Sequence, residues 1–218
     1  ELPAHIPSRM KTAALQLYTD EGYHALFSHH LAEQIAELHG FTGRPQMPLR
    51  ITRLTGQIAR TPESKRPLAW FLLGFVSETI IARELLDVCR ETLVSSVNDM
   101  LRDHLADEAR HSRFFSEVFH YLWLTLNSRQ RAFAARTLLE TLATFFEIDE
   151  QWLHQSLRRA GIGEGAIKEI LDSLTNVQAS RQRARSGATA TLAALEKAGF
   201  FALPNNRKLF AKAGLIDA

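Results

Sequence analysis

Apolar residues recur at intervals of three and four positions along most of this chain, whereas stretches of alternating apolar and polar residues are short. This spacing is typical of amphipathic helices and leaves little sequence for β-strands. Glycines and prolines interrupt it at residues 39–50 and 60–67. We therefore predict an all-α fold of long helices packed as a bundle. The predicted helices span residues 9–39, 64–91, 96–126, 128–159, 164–180, 186–198 and 205–213.

Composition restricts the classes of protein to which this chain can belong. No linker long enough to separate two domains is visible, so residues 1–218 are predicted to form one domain. A formal charge of +2 gives no electrostatic basis for binding nucleic acid or an anionic membrane. The longest apolar run, residues 68–76, is too short to cross a bilayer. A lone cysteine, Cys89, excludes an intrachain disulfide and suits a reducing cytoplasm.

Residues 104–111, with the sequence HLADEARH, place polar groups on an apolar helix face. At about 100° per residue, His104 and His111 lie within about 60° of Glu108. The same stripe carries Leu101, Leu105, Ser112, Phe115 and Phe119. An isolated buried carboxylate is very costly. These three polar side chains must therefore be hydrogen-bonded, paired or bound to a cation.

The pattern D-E-x-x-H occurs twice, at residues 20–24 and 107–111. Glu21 and His24 interrupt a mostly apolar stripe in the same way as the second motif, and we expect that stripe to face the core. Its other members are Ala14, Leu17, Tyr18, Ala25, Ser28, Ala32 and Ile35. A further E-x-x-H match at residues 117–120 points to the opposite side of its helix from Glu108 and is set aside.

Glu78 is the only charged residue on its helix face, among Phe71, Phe75 and other apolar residues. A buried pair with an arginine is the alternative to a metal, but Arg83 and Arg90 project away from this stripe. Gly74, one turn earlier, leaves space beside the carboxylate.

Together these residues fit the ligand set of a metal pair. Helix bundles hold such pairs with a Glu-x-x-His motif on each of two helices and a lone glutamate on each of the other two. Asp20 and Asp107 precede the two motifs and are predicted to accept the free ring N–H of a ligating histidine. The predicted ligands are Glu21, His24, Glu78, His104, Glu108 and His111.

In these motifs the chain resembles the ferritin-like di-iron oxygenases, and among them the p-aminobenzoate N-oxygenase (AurF-like) family. The resemblance rests on Glu21 and His24, the lone Glu78, and the third histidine, His104, one turn before Glu108. It implies a ferritin-like four-helix core with additional C-terminal helices. By motif, it covers residues 10–125.

The resemblance also implies a ligand arrangement and a reaction. Glu21 and Glu108 would bridge two iron ions, with manganese as an alternative metal. His24 would hold the first metal, and Glu78, His104 and His111 the second. Family members use dioxygen and an electron donor to oxidise an arylamine nitrogen toward hydroxylamine and nitro products. The family's remaining glutamate precedes the first motif by about 35 residues, under the ligand pattern of such bundles, so we expect an N-terminal helix to be missing here. A homodimer is implied by analogy alone.

Other functions remain open from the residues themselves. A di-iron hydroxylase or desaturase acting on an aliphatic or carrier-bound substrate would use the same ligands. A non-catalytic metal-binding helical protein is the alternative outside enzymes. For the oxygenase we predict an aromatic substrate pocket beside Glu78, lined by Phe71, Gly74, Phe75 and Phe115.

Overall fold

A computed structural model describes residues 6–41, 47–91 and 94–217 of the chain. No β-strand occurs in these ranges, which confirms the predicted all-α class. None of the described helices combines the length and apolarity needed to cross a membrane. The α-helices are α1 (Ser8–Leu38), α2 (Leu49–Arg60), α3 (Arg66–Glu91), α4 (Ser95–Thr125), α5 (Ser128–Phe146), α6 (Glu150–Arg159), α7 (Glu164–Thr175), α8 (Val177–Gly187), α9 (Thr189–Lys197) and α10 (Pro204–Lys212).

Helices α3 and α4 form the centre of the long-helix arrangement. They pack along each other, α1 packs against α4, and α5 packs against α3. Apolar residues of α3 and α4 interlock: the ring of Phe75 stacks on that of Phe119 with centroids 4.7 Å apart, and Phe119 also stacks on Trp123. All three are buried. Full burial of each such side chain stabilises the fold by about 1.5–3 kcal/mol.

The C-terminal helices close the far side of this core. Helix α9 packs against α3 and α4, and the buried hydroxyls of Thr79 and Thr191 are 2.6 Å apart across that contact. A 3₁₀ turn at Phe200–Ala202 and helix α10 follow, and they bury Phe200 and Phe210 completely. This layer holds α3 and α4 in fixed register, which in turn fixes the side chains that both helices direct toward α1.

Two predicted helices are each divided in the structure. The segment predicted at residues 128–159 breaks before α6, where the Asp149 carboxylate accepts hydrogen bonds from the backbone N–H groups of Leu49 and Trp152. The segment predicted at residues 164–180 breaks at Asn176, whose side chain caps α8. Short Asp and Asn side chains compete with the backbone in this way and therefore end helices. Helix α2 was not predicted.

Helix α1 is the least covered of the long helices. The predicted inward stripe is partly wrong: His24 is buried and Leu17 half-buried, but other members of the stripe are exposed. The exposed members are Ala14, Tyr18, Ala25, Ser28, Ala32 and Ile35. The reason is that α4 is the principal neighbour of α1, and one neighbouring helix covers only a narrow strip of another.

Candidate metal centre

The polar residues on the inner faces of α1, α3 and α4 come together in one cluster. The six that the sequence singles out are Glu21, His24, Glu78, His104, Glu108 and His111. Four of them, Glu21, His24, Glu108 and His111, each offer a ligand atom within 4.8 Å of the others. The arrangement follows from helix geometry, because positions i and i+3 share one face and each D-E-x-x-H motif therefore presents its glutamate and histidine together.

Burial of the cluster differs between its two motifs. Glu108 is 1% exposed and His111 3% exposed, since α4 is enclosed by α1, α3 and α9. His24 is 4% exposed, but the side chain of Glu21 on the same helix is 41% exposed. The cluster is thus closed on the α4 side and open beside Glu21.

Several polar atoms of the cluster are buried without a hydrogen-bond partner among the described residues. They are Glu21 Oε1, His24 Nδ1, Glu78 Oε2, His104 Nδ1, Glu108 Oε2 and His111 Nδ1. His111 Nδ1 lies 2.9 Å from Glu21 Oε1, 3.5 Å from Glu78 Oε2 and 3.8 Å from Glu108 Oε2, in each case without hydrogen-bond geometry. Unpartnered buried polar atoms require an explanation, and converging carboxylate oxygens and imidazole nitrogens fit a transition-metal ion.

His104 joins the cluster in a different orientation from the other two histidines. Its Nε2 lies 2.8 Å from Glu108 Oε1, whereas His24 and His111 direct Nδ1 inward. Its ring centroid is 3.9 Å from that of His24. The resemblance groups His104 with Glu78 and His111, but in the structure its imidazole lies beside His24.

His24 and His111 each bond through the outer ring nitrogen, Nε2, to an aspartate of the opposite helix. His24 Nε2 on α1 lies 3.2 Å from Asp107 Oδ2 on α4, and His111 Nε2 on α4 lies 3.2 Å from Asp20 Oδ2 on α1. The sequence predicts aspartate partners for these rings without indicating that they cross. An N–H donated to a carboxylate fixes the tautomer and leaves the inner Nδ1 free to bind a metal.

The cluster concentrates negative charge, and the pKa values of its members reflect this. Burial raises the pKa of Glu78 to about 7, with the neighbouring carboxylates of Glu108 and Glu21 adding to the effect. Burial alone would lower the pKa of His111, but the carboxylates of Glu21, Glu78 and Asp20 raise it to about 10. The site therefore favours positive charge, which a proton on His111 or a bound divalent cation supplies.

The chain matches the family model of p-aminobenzoate N-oxygenase AurF over residues 2–199. The chain belongs to the AurF family. No curated protein matches the chain in a direct sequence comparison.

Membership of the AurF family assigns the protein to the di-iron N-oxygenases, which are enzymes. The family acts on a small aromatic amine and implies a di-iron centre that uses dioxygen. The chemistry of the cluster fits such a centre, because carboxylate oxygens and imidazole nitrogens are suitable iron ligands.

Residues predicted to line the substrate pocket of this AurF-family member pack against one another. The ring of Phe115 stacks on Phe71 at 5.8 Å and lies in the space that Gly74 leaves open. A Cβ at position 74 would meet Phe115 Cε1 at 3.0 Å. Phe75 is fully buried and stacks on Phe119 in the core. Phe71, Gly74 and Phe115 therefore meet beside Glu78, whereas the ring of Phe75 belongs to the core.

Sequence reasoning missed two features next to the centre. A cavity of about 570 Å³ adjoins the outer side of His111, between α1 and α4, and Leu17, Asp20 and Phe114 are among its lining residues. Arg110 also lines it and contacts both aspartates that bond to the histidines. The i, i+3 spacing of Asp107 and Arg110 is the signal that would have indicated this arginine.

Proposed function

We propose that this protein oxidises the amine nitrogen of a small aromatic amine with dioxygen, at two iron ions held by the cluster of α1, α3 and α4. The observation that carries the proposal is the convergence of buried carboxylate and imidazole atoms that have no hydrogen-bond partner among the described residues. Membership of the AurF family supplies the reaction class.

In the proposed ligand set, Glu21 and Glu108 would be shared by the two metals. His24 would hold one metal, and Glu78 and His111 would hold the other. His104 completes the set through Nε2, which is the nitrogen that it directs toward Glu108. Asp20 and Asp107 hold the rings of His111 and His24 through their outer nitrogens. The metal is proposed to be iron, and manganese would suit the same oxygen and nitrogen donors.

The reduced iron pair, when bound, supplies the electrons and the binding site that activate dioxygen. The protein's own residues would neutralise and orient this centre: the carboxylates of Glu21, Glu78 and Glu108 would offset the metal charge, and the aspartate-bonded imidazoles would fix the donor directions. Each oxygenation of R–NH₂ to R–NHOH uses one O₂, two electrons from an external donor and two protons. One oxygen atom forms the N–O bond and the other leaves as water.

The aromatic ring of the substrate is proposed to bind beside Gly74, next to Glu78. The proximity of Phe71 and Phe115 supports this location, since apolar walls exclude water from the reacting nitrogen. Because the ring of Phe115 lies in the space beside Gly74, binding there requires that ring to rotate. Phe75 is proposed to support this wall from within the core.

The test is direct oxygenation by the iron-loaded protein. The protein is loaded anaerobically with ferrous iron, supplied with NADH and phenazine methosulfate as reductant, and exposed to ¹⁸O₂ with p-aminobenzoate. Mass spectrometry should find hydroxylamino and nitro products carrying ¹⁸O, while benzoate and p-hydroxybenzoate should be returned unchanged.

Three other results would contradict the proposal. Ring-hydroxylated products would indicate a hydroxylase, and unsaturated products from an acyl substrate would indicate a desaturase. Iron that binds and oxidises without any product from the amine would indicate a metal-binding role without catalysis.

Three further expectations stand as proposals. Residues 1–218 form one domain, which limited proteolysis would test. The protein forms a homodimer, which light scattering would test. The lone Cys89 suits the reducing conditions of the cytoplasm, a location that cell fractionation would test.

A further inference from the structure

We propose that Arg110 is a positioning residue that orients both His24 and His111 toward the metal pair by holding their two aspartate partners together. The inference rests on the proposed function, in that it takes these histidines to be metal ligands. Arg110 is not itself a ligand, since its guanidinium carries no free electron pair for a metal.

The contacts of Arg110 join the two halves of the centre. Its Nη2 lies 2.5 Å from Asp107 Oδ1 and 3.9 Å from Asp20 Oδ2. The other oxygen of Asp107 bonds to His24 Nε2, and the same Asp20 oxygen bonds to His111 Nε2. A continuous path of contacts therefore runs from His24 through Asp107, Arg110 and Asp20 to His111.

The two motifs do not contribute equally to this path. The position that Arg110 occupies in the second D-E-x-x-H motif belongs to Tyr23 in the first, and Tyr23 is 65% exposed. Among the described residues, Arg110 is the one arginine or lysine in ion-pair contact with either aspartate. A single guanidinium therefore serves carboxylates from two helices.

Its position on the surface limits what Arg110 can do for the fold. The side chain is 66% exposed, and exposed ion pairs contribute little to overall stability. The orientation of a histidine, by contrast, depends on the carboxylate that accepts its N–H, and such outer partners influence metal affinity strongly. Loss of Arg110 should therefore lower the affinity for metal and leave the unfolding transition unchanged.

An effect of charge alone and an effect of positioning predict opposite changes in metal affinity when this arginine is removed. Removing a positive charge beside a cation site should tighten the binding of a divalent cation if charge alone matters. If Arg110 positions the aspartates, its removal should weaken binding instead. Arg113, also exposed on α4, offers a matched control, because Arg113→Gln removes the same charge one turn away.

The experiment uses the full chain, freed of metal and titrated with Co²⁺ against a chelator. We expect Arg110→Gln to bind Co²⁺ about 10-fold more weakly, a loss at the lower end of that seen for outer partners of metal ligands. Its Co²⁺ absorption spectrum should also change, because the imidazole donors are less well oriented. Arg110→Lys should recover part of the affinity, and Arg113→Gln should match or exceed the wild type. Circular dichroism should show the same helical content in all four proteins.

Co²⁺ binding by Arg110→Gln that equals or exceeds that of Arg113→Gln, with an unchanged spectrum, would overturn the proposal. If the wild type itself binds no Co²⁺, the proposed function fails, and a second measurement on the metal-free chain decides the role of Arg110. The ¹⁵N signals of the His24 and His111 rings should change in Arg110→Gln but not in Arg113→Gln. Unchanged ring signals would mean that Arg110 does not position the histidines.

Discussion

Helices α1 and α4 are of equal length, and each carries a D-E-x-x-H motif in its middle, yet they contribute to the fold very differently. Helix α4 buries a continuous stripe from His104 to Trp123, whereas α1 buries only Met10 and His24. The difference lies in their neighbours: α4 is packed by α1, α3 and α9, and α1 is packed mainly by α4. A motif therefore specifies which donor atoms face a site, and the neighbouring helices decide how enclosed those donors are.

The first way to test this comparison is to truncate one aromatic residue on each helix. Phe119→Ala should reduce the free energy of unfolding by about 3–5 kcal/mol, because it removes a fully buried ring that stacks on Phe75 and Trp123. Tyr18→Ala on α1 should change it by no more than about 0.5 kcal/mol, since this side chain is 79% exposed. Urea denaturation followed by circular dichroism measures both. A similar loss from Tyr18→Ala would mean that this face of α1 is covered in solution.

The second test compares the two glutamates that are proposed to bridge the metals. Glu108→Gln should weaken Mn²⁺ binding by more than about 100-fold, above the range for outer partners of ligands, because Glu108 is buried at the centre of the cluster. Glu21→Gln should weaken Mn²⁺ binding less, because water can reach its 41% exposed side chain and replace the lost donor. Chelator competition gives both affinities. Equal losses would show that the open side of the centre is closed when metal binds.

The third test exchanges each aspartate for its amide. Asp107→Asn and Asp20→Asn should each weaken Mn²⁺ binding by about 10- to 100-fold, because the amide no longer accepts the histidine N–H with full charge. The contacts cross between helices, so Asp107→Asn on α4 should disturb His24 on α1, and Asp20→Asn should disturb His111. Histidine ¹⁵N spectra of the metal-free protein would show which ring responds. A response in the histidine of the same helix would contradict the crossed arrangement.

What the sequence predicted well is what helix periodicity determines directly. The inner faces of α3 and α4 carry Glu78, Glu108 and the two α4 histidines among apolar residues, and the structure brings these side chains together. The same reasoning failed for α1, where Ala14, Ala25 and Ala32 lie on a predicted inner stripe but are exposed. Alanine is compatible with either environment, so its spacing indicates a face without showing that anything covers it.

Other features depend on contacts between segments that are distant in the chain, so the local sequence could not predict them. Helix α2 buries Leu54 and Ile58, one turn apart, because it packs against α3 and α5, and Gln57 between them bonds to Thr137 and Thr141 of α5. The crossed aspartate pairs likewise follow from how α1 and α4 pack. The metal centre also depends on contacts between helices. The structure brings the donor atoms together, and the metal that each of them binds stays a prediction.

The last prediction concerns pH and separates the buried histidine from an exposed one. In the metal-free protein the pKa of His111 is raised from 6.5 to about 10, and that of Glu78 from 4.5 to about 7. Both groups hold a proton more tightly in the folded state than in the unfolded chain. Their contribution to stability is therefore full below the unfolded pKa and is lost as pH rises through the folded one.

The urea midpoint of the metal-free protein should accordingly fall from about pH 4.5, the unfolded pKa of Glu78, to about pH 10, the folded pKa of His111. Saturating Mn²⁺ should reduce that fall, because a metal ion replaces the proton on His111. His111→Gln should flatten the upper part of the profile. His154→Gln, which changes a more exposed histidine paired with Glu164 on the surface, should leave the profile as in the wild type. If the two variants have the same profile, the carboxylates around His111 do not raise its affinity for a proton, and the negative charge of the cluster must be balanced in another way.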